Sequence, residues 1–300
     1  MKRILAGCLA ALMLACTFAG CGAGASGAAA ASASAAAAGS GASASGSASA
    51  AGGKVLRVAF ECQSAPFCWT QSDDSNGALK LTGTDEYTYG FDVEMMKQLC
   101  AKAGYTIEAY KIDWDGMLMG VQAGTYDCAI SGISITDERK VSMDFTDPYY
   151  KANIVLLTRA DGKYASAARL SDFAGCSTTS MLNTIWYDMC SQIPNASIQP
   201  ALENLPALIV AVQSGAVDAV PVDIPTAKAA VLANPDLVMV EPDASDTFAV
   251  TDADVDLGIA VTKGKEQIVS DLNAALATIP QDERDAMLDK AISVQPLAQQ

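Results

Sequence analysis

Apolar positions along the chain fall into short blocks whose spacing alternates between strand and helix. Val55, Leu56, Val58 and Phe60 form a first apolar block of strand length. Val93, Met96, Cys100 and Ala103 then recur at helical spacing and stop at Gly104. A strand is predicted over 106–112, and Met117, Leu118 and Val121 give a short helix that Gly124 ends. Strands follow at Ile130–Ile133 and Ile154–Thr158. A helix is predicted over 185–193, with Ile185, Met189 and Ile193 on one face. Another carries Leu205, Leu208, Ile209 and Val212 and ends at Gly215. Val217–Val222 and Leu257–Val261 read as strands, and helices near 265–278 and 281–292 close the chain. Strands alternating with helices predict an α/β fold with mostly parallel sheets. Residues 69–89 are polar and contain glycine, so they read as a loop or short hairpin insertion.

The first 53 residues follow a different pattern. Lys2 and Arg3 precede an apolar run, Ile4–Ala19, too short to span a bilayer and ending in small residues, as an export signal over 1–20 does. Phe18-Ala19-Gly20-Cys21 looks like a lipobox, which makes Cys21 the expected lipidated N-terminus; Cys16 is a weaker candidate, and a plain secretory signal is the alternative. Residues 22–53 contain only Gly, Ala and Ser. Having no apolar bulk to bury, residues 21–53 are expected to form a flexible tether spanning roughly 30 Å on average.

The most informative stretch is 126–150, YDCAISGISITDERKVSMDFTDPYY. It begins as a strand, and Gly132 permits a close backbone approach. Thr136 reads as a helix N-cap, with Asp137 and Glu138 in the first turn where the helix dipole favours them. Arg139 follows just beyond the strand's carboxyl end, where ligands of open α/β sheets bind, and its planar fork suits a carboxylate. A surface arginine on a helix is the plain alternative.

SGISITDER followed by MDFTDPYY resembles the signature of bacterial solute-binding proteins for polar amino acids, which have the periplasmic-binding-protein type II fold. Other segments fit that resemblance in order. Glu61 ends the first strand before Ala65-Pro66-Phe67; GFDVEMM opens at Gly90; Asp113-Trp114-Asp115-Gly116 follows; and Asp223 ends a buried strand. Met181-Leu182-Asn183-Thr184 stands where the family commonly has Q-x-G-T. Asn183 replaces the glycine, and asparagine tolerates the same left-handed backbone. The resemblance runs from about Lys54 to the C-terminus. It implies two α/β lobes joined by crossings near 153–158 and 255–260, with 54–155 plus 256–300 in lobe 1 and 156–255 in lobe 2.

The resemblance also implies a free amino acid in the cleft between the lobes. Arg139 would pair with its α-carboxylate, helped by backbone N–H groups near Ser134 and Thr184. Asp223 and the Gly132 carbonyl would hold the α-ammonium. Trp114 would pack on the ligand side chain, and Glu61 would meet a side-chain amine or amide. Each has a plainer reading: Trp114 as core, Glu61 as a loop cap, Asp223 and Thr184 as helix caps. Ser64 departs from the family, which often has an aromatic there. A carboxylate at Glu61 disfavours acidic ligands and leans toward arginine or lysine, with glutamine close behind.

Composition narrows the function. A formal charge of −15 argues against a nucleic-acid partner. With no histidine, Ser-His-Asp and Cys-His catalysis and histidine metal sites are excluded. No cofactor or metal is expected. Six cysteines follow the tether; Cys100 and Cys128 fit buried thiols, while Cys62 and Cys68 are close enough in sequence for a bridge. The family resemblance implies a monomeric, lipid-anchored binding protein of the cell envelope. It would serve an ABC importer whose permease and ATPase are separate chains. A cyclohexadienyl dehydratase-like enzyme on the same fold and a ligand-presenting sensory subunit are the rival classes.

Overall fold

The computed structural model describes residues 54–296. The signal, Cys16, Cys21 and the Gly/Ala/Ser tract lie outside the described residues.

Two five-stranded sheets form the cores of two lobes. The first has the order Tyr105–Lys111, Lys54–Phe60, Cys128–Ala129, Ala260–Thr262, Met143–Phe145. The second has the order Ser197–Ile198, Ser177–Thr178, Ala219–Asp223, Ile154–Arg159, Leu237–Val240. In each sheet one strand runs against the others, Ala260–Thr262 in the first and Ile154–Arg159 in the second. These are the strands through which the chain enters each lobe from the other, which accounts for their reversed direction. The crossings run side by side: Asp256–Leu257 pairs antiparallel with Tyr150–Lys151.

Both faces of the first sheet are covered. Leu56, Val58 and Phe60 point into one core, with helix α1 (Phe91–Ala103) and the two C-terminal helices, Glu266–Leu276 and Gln281–Val294. Ala59 points the other way, against Met117 and Val121 of helix α2 (Trp114–Gln122). This two-sided burial is why the strands read as near-continuous apolar runs. In the second lobe, Leu156 and Phe173 pack on one face of the sheet, and Val155 and Leu157 pack on the other against Leu208 of the helix Leu205–Gln213.

The remaining helices that bear on the site are α3 (Asp137–Ser142), α4 (Ile185–Met189), α5 (Leu205–Gln213) and α6 (Ile224–Ala233). The predicted helix 185–193 is shorter than its apolar face suggested, becoming a 3-10 turn over Cys190–Gln192. Residues 63–89 build a small four-stranded antiparallel sheet, more than the loop or hairpin expected there. Its turn pins the start of α1: Phe91 N donates to Pro66 O and Asp92 N to Phe67 O, both at 2.9 Å. A Cβ on Gly90 would come within 2.2 Å of Phe67 O, so only glycine lets these backbones meet.

All six cysteines of the described region are free, buried thiols. Cys62 N donates to Cys68 Sγ at 3.2 Å, so the two meet without the bridge that their spacing allowed. Burial pushes the Cys100 and Cys176 thiols up to about 12 and Cys190 to about 11. Among the described residues no helix is long and apolar enough to cross a membrane.

Candidate functional site

Between the lobes lies a cavity of about 40 Å³. Ser64, Phe67, Trp114 and Gly132 line it from the first lobe, and Thr184, Trp186, Asp223 and Thr226 from the second. That volume admits a water or two. It is well below the roughly 300 Å³ at which small-molecule sites begin, so an amino acid enters only if the walls separate.

Asp223 ends the strand Ala219–Asp223 and caps α6. Its Oδ1 accepts from Thr226 N at 2.8 Å and its Oδ2 from Thr226 Oγ1 at 2.9 Å. Burial pushes its carboxyl up to about 6. The capping role and a place in the cavity wall therefore coexist in one side chain. Gly132, opposite, is left-handed (φ +63°). Its N–H donates to Asp92 Oδ2 at 2.9 Å and also faces Tyr149 Oη at 3.3 Å.

Trp114 begins α2, which Asp113 caps through Gly116 N at 2.9 Å. It is buried in the cavity wall, and its Nε1 donates to Asn183 O across the cleft at 3.3 Å. Arg139 sits on α3, where the Thr136 side chain caps the helix by accepting from Arg139 N. Its guanidinium faces the Trp114 ring, 5.6 Å from the centroid. Nη1 donates to Ser134 O and Nη2 to Asn183 O, both at 3.0 Å. Burial lowers the Arg139 pKa, opposed by the charges of Glu138 and Asp188. Asn183 completes the link by donating from Nδ2 to Asp115 Oδ1 at 2.7 Å. It adopts the left-handed backbone (φ +56°) that its place in the motif required.

Arg139 does not line the cavity. It opens onto a larger groove of about 820 Å³, shared with Met119, Leu182 and Asp188. Thr184 lines both spaces. It occupies the N-cap position of α4, but its hydroxyl donates to Met181 O rather than capping the helix.

Of the residues singled out in the sequence, Trp114, Gly132, Thr184 and Asp223 meet at the cavity. Ser134 is buried without lining it and bridges to Leu257. Glu61 lies behind the wall. Its Oε2 accepts from Gln63 N at 3.0 Å and from Ser64 Oγ at 2.7 Å, and burial raises its pKa. Ser64 thus stands between Glu61 and the cavity. Sequence reasoning missed Asp92, Tyr149, Ser131, Trp186 and Thr226. Asp92 lies inside GFDVEMM, where an acidic residue in a helix's first turn already has an ordinary explanation.

Residues 56–293 match the model of the bacterial extracellular solute-binding proteins, family 3. The chain belongs to this family. Its relatives include a probable histidine-binding protein of Neisseria gonorrhoeae, 32% identical over 229 residues, which cover 76% of this chain and 78% of that protein. The L-cystine-binding protein of Escherichia coli K12 is 29% identical over 230 residues, 76% of this chain and 78% of its own. Among solved structures, an amino acid ABC transporter substrate-binding protein from Streptococcus pneumoniae bound to L-arginine aligns with a TM-score of 0.68. It shares 26% identity and covers 80% of this chain and 94% of that one. These family relatives are binding proteins rather than enzymes. The two-lobed fold of this family 3 protein is that of type II periplasmic binding proteins.

Proposed function

We propose that this family 3 protein captures a free cationic amino acid, arginine or lysine, between its lobes and delivers it to an ABC importer. The observation that carries amino acid capture is a buried carboxylate, Asp223, in the cavity wall together with an arginine at the cleft, Arg139, whose guanidinium rests on backbone carbonyls of both lobes. These are the complementary charges that an α-ammonium and an α-carboxylate require. Opening the lobes frees Arg139 Nη2 and Trp114 Nε1 from Asn183 O. The guanidinium can then take the ligand carboxylate, together with N–H groups near Ser134 and Thr184. Gly132 joins Asp223 at the ammonium. The Trp114 ring offers a cationic side chain roughly 0.5–2 kcal/mol of cation–π attraction. Glu61 acts from behind Ser64, so its influence on the ligand is electrostatic or follows movement of the Ser64 hydroxyl.

In this reading Cys21 is lipidated, residues 22–53 tether the monomeric lobes to the envelope membrane, and the permease and ATPase are separate chains.

A calorimetric screen of the standard amino acids tests the function. Arginine or lysine should bind tightest, and Glu61→Gln should weaken them more than glutamine. Tightest binding of glutamate, or arginine affinity untouched by Glu61→Gln, would overturn the preference. Turnover of prephenate by the purified protein would instead favour a dehydratase. Membrane release by Cys21→Ala tests the anchor.

A further inference from the structure

Asp92 is a carboxylate that the binding scheme above does not use. It is fully buried in the first turn of α1, one layer behind the cavity wall. Its Oδ2 accepts from Gly132 N at 2.9 Å, while its Oδ1 has no protein partner. Such an unpaired, buried oxygen carries a desolvation cost that a structural cap would ordinarily avoid. Three titratable groups bear on it. The Tyr149 hydroxyl helps hold its charge, Asp223 repels it from the opposite lobe, and the Cys68 thiol lies near enough to feel it. None of them is a cation.

We propose that Asp92 is a positioning residue of the binding site, fixing Gly132 in the cavity wall, and that capture of a ligand's α-ammonium drives a proton off the Asp92–Asp223 carboxylate pair. This inference rests on the functional reading given above.

The physical cause is the position of the two carboxylates. Both are withdrawn from water: Asp223 in one wall of a cavity too small for more than a water or two, Asp92 behind Gly132 of the facing wall. Burial, with repulsion from Asp223, pushes Asp92 up to about 7, and burial pushes Asp223 up to about 6. The ligand-free site therefore carries part of a proton at and below neutral pH. An ammonium placed between the walls favours both charged forms, and the proton passes to the buffer. Affinity accordingly weakens as the solution is acidified through this range, because the proton competes with the ligand.

The experiment is calorimetry with L-arginine at about pH 6.5, in phosphate and in imidazole, two buffers with different heats of ionisation. The apparent heats should differ in the sense of proton release, and the difference should fade by about pH 8.5. Asp92→Asn keeps an oxygen for Gly132 N–H, so binding should persist to within about tenfold while the released proton fraction shrinks. Asp92→Ala leaves that N–H only its longer contact with Tyr149 Oη, 3.3 Å away, and should weaken binding at every pH. Equal heats in both buffers for the wild type, or undiminished proton release in Asp92→Asn, would overturn the proposal. Should no amino acid bind, the functional reading fails. Carbon-13 titration of Asp92 in the free protein then decides the remainder: a midpoint near neutrality supports the proton pair, and an ordinary carboxylate midpoint refutes it.

Discussion

Arg139 and Asn183 join the two lobes directly, through Nη2 to the backbone carbonyl at 3.0 Å, and Trp114 Nε1 shares the same carbonyl from 3.3 Å. One carbonyl thus satisfies two donors from the opposite lobe. A ligand carboxylate presents the same kind of acceptor with a full charge, so it competes well for the guanidinium.

Arg139→Ala should cost roughly 2–5 kcal/mol of arginine affinity, as when one partner of a desolvated charge pair is removed. The fold should remain, because α3 keeps its Thr136 cap. Calorimetry with circular dichroism checks both parts, and near-normal affinity would remove Arg139 from the site.

Asp223 separates two roles by the choice of substitution. Asp223→Asn retains an oxygen for Thr226 N, so the helix cap and the melting temperature should change little while binding collapses. Asp223→Ala should also lose about 1 kcal/mol of stability, the usual value of an N-cap. Retained affinity in Asp223→Asn would show that the charge is not used.

Asp127 predicts acid sensitivity. It accepts from Arg57 N at 2.8 Å and from Arg57 Nη2 at 2.9 Å, and it pairs with Lys265. Its hydrogen bonds to Arg57 and Lys265 outweigh burial and hold the carboxyl well below its ordinary value. A depressed folded pKa gives stability that is complete above the unfolded value near 4 and is lost as the pH falls below it. Asp127→Asn should cost about 2 kcal/mol at neutral pH, less than a fully buried pair because both cations are about a third exposed. The variant should also show a shallower loss of stability in acid, read by urea unfolding.

Asp92 has the opposite sign. Its folded pKa, about 7, lies above the unfolded value, so its contribution is complete below about pH 4 and is lost as the pH rises through 7. Asp92→Asn should flatten the stability profile between those limits in the ligand-free protein. An unchanged slope would place the Asp92 carboxyl at its ordinary value.

Lobe motion follows from the size of the cavity. Small-angle scattering should show the ligand-free protein sampling a larger radius than the arginine-saturated one, and Arg139→Ala should enlarge the free form further by removing a cross-lobe bond. Identical profiles in all three would argue for a rigid cleft.

The sequence by itself determined the α/β alternation, the left-handed turn at Asn183, the Thr136 cap and the family, because each is a local signal: a period, a cap, a glycine-like position or an ordered set of motifs. The positions of Trp114, Gly132, Thr184 and Asp223 in the cavity could be inferred by resemblance. Only the tertiary structure decided which side chains face that cavity. Glu61 stands at the carboxyl end of its strand, just past Phe60, as expected, yet the turn through Ser64 folds back over it and takes up its oxygen. Arg139 reaches Asn183, 44 residues further along the chain. Asp92 meets Gly132, 40 residues further along the chain, because α1 is pinned against the Pro66–Phe67 turn. Contacts of that span arise when separate elements pack together, and neither periodicity nor capping chemistry along the chain encodes which oxygen is left without a partner.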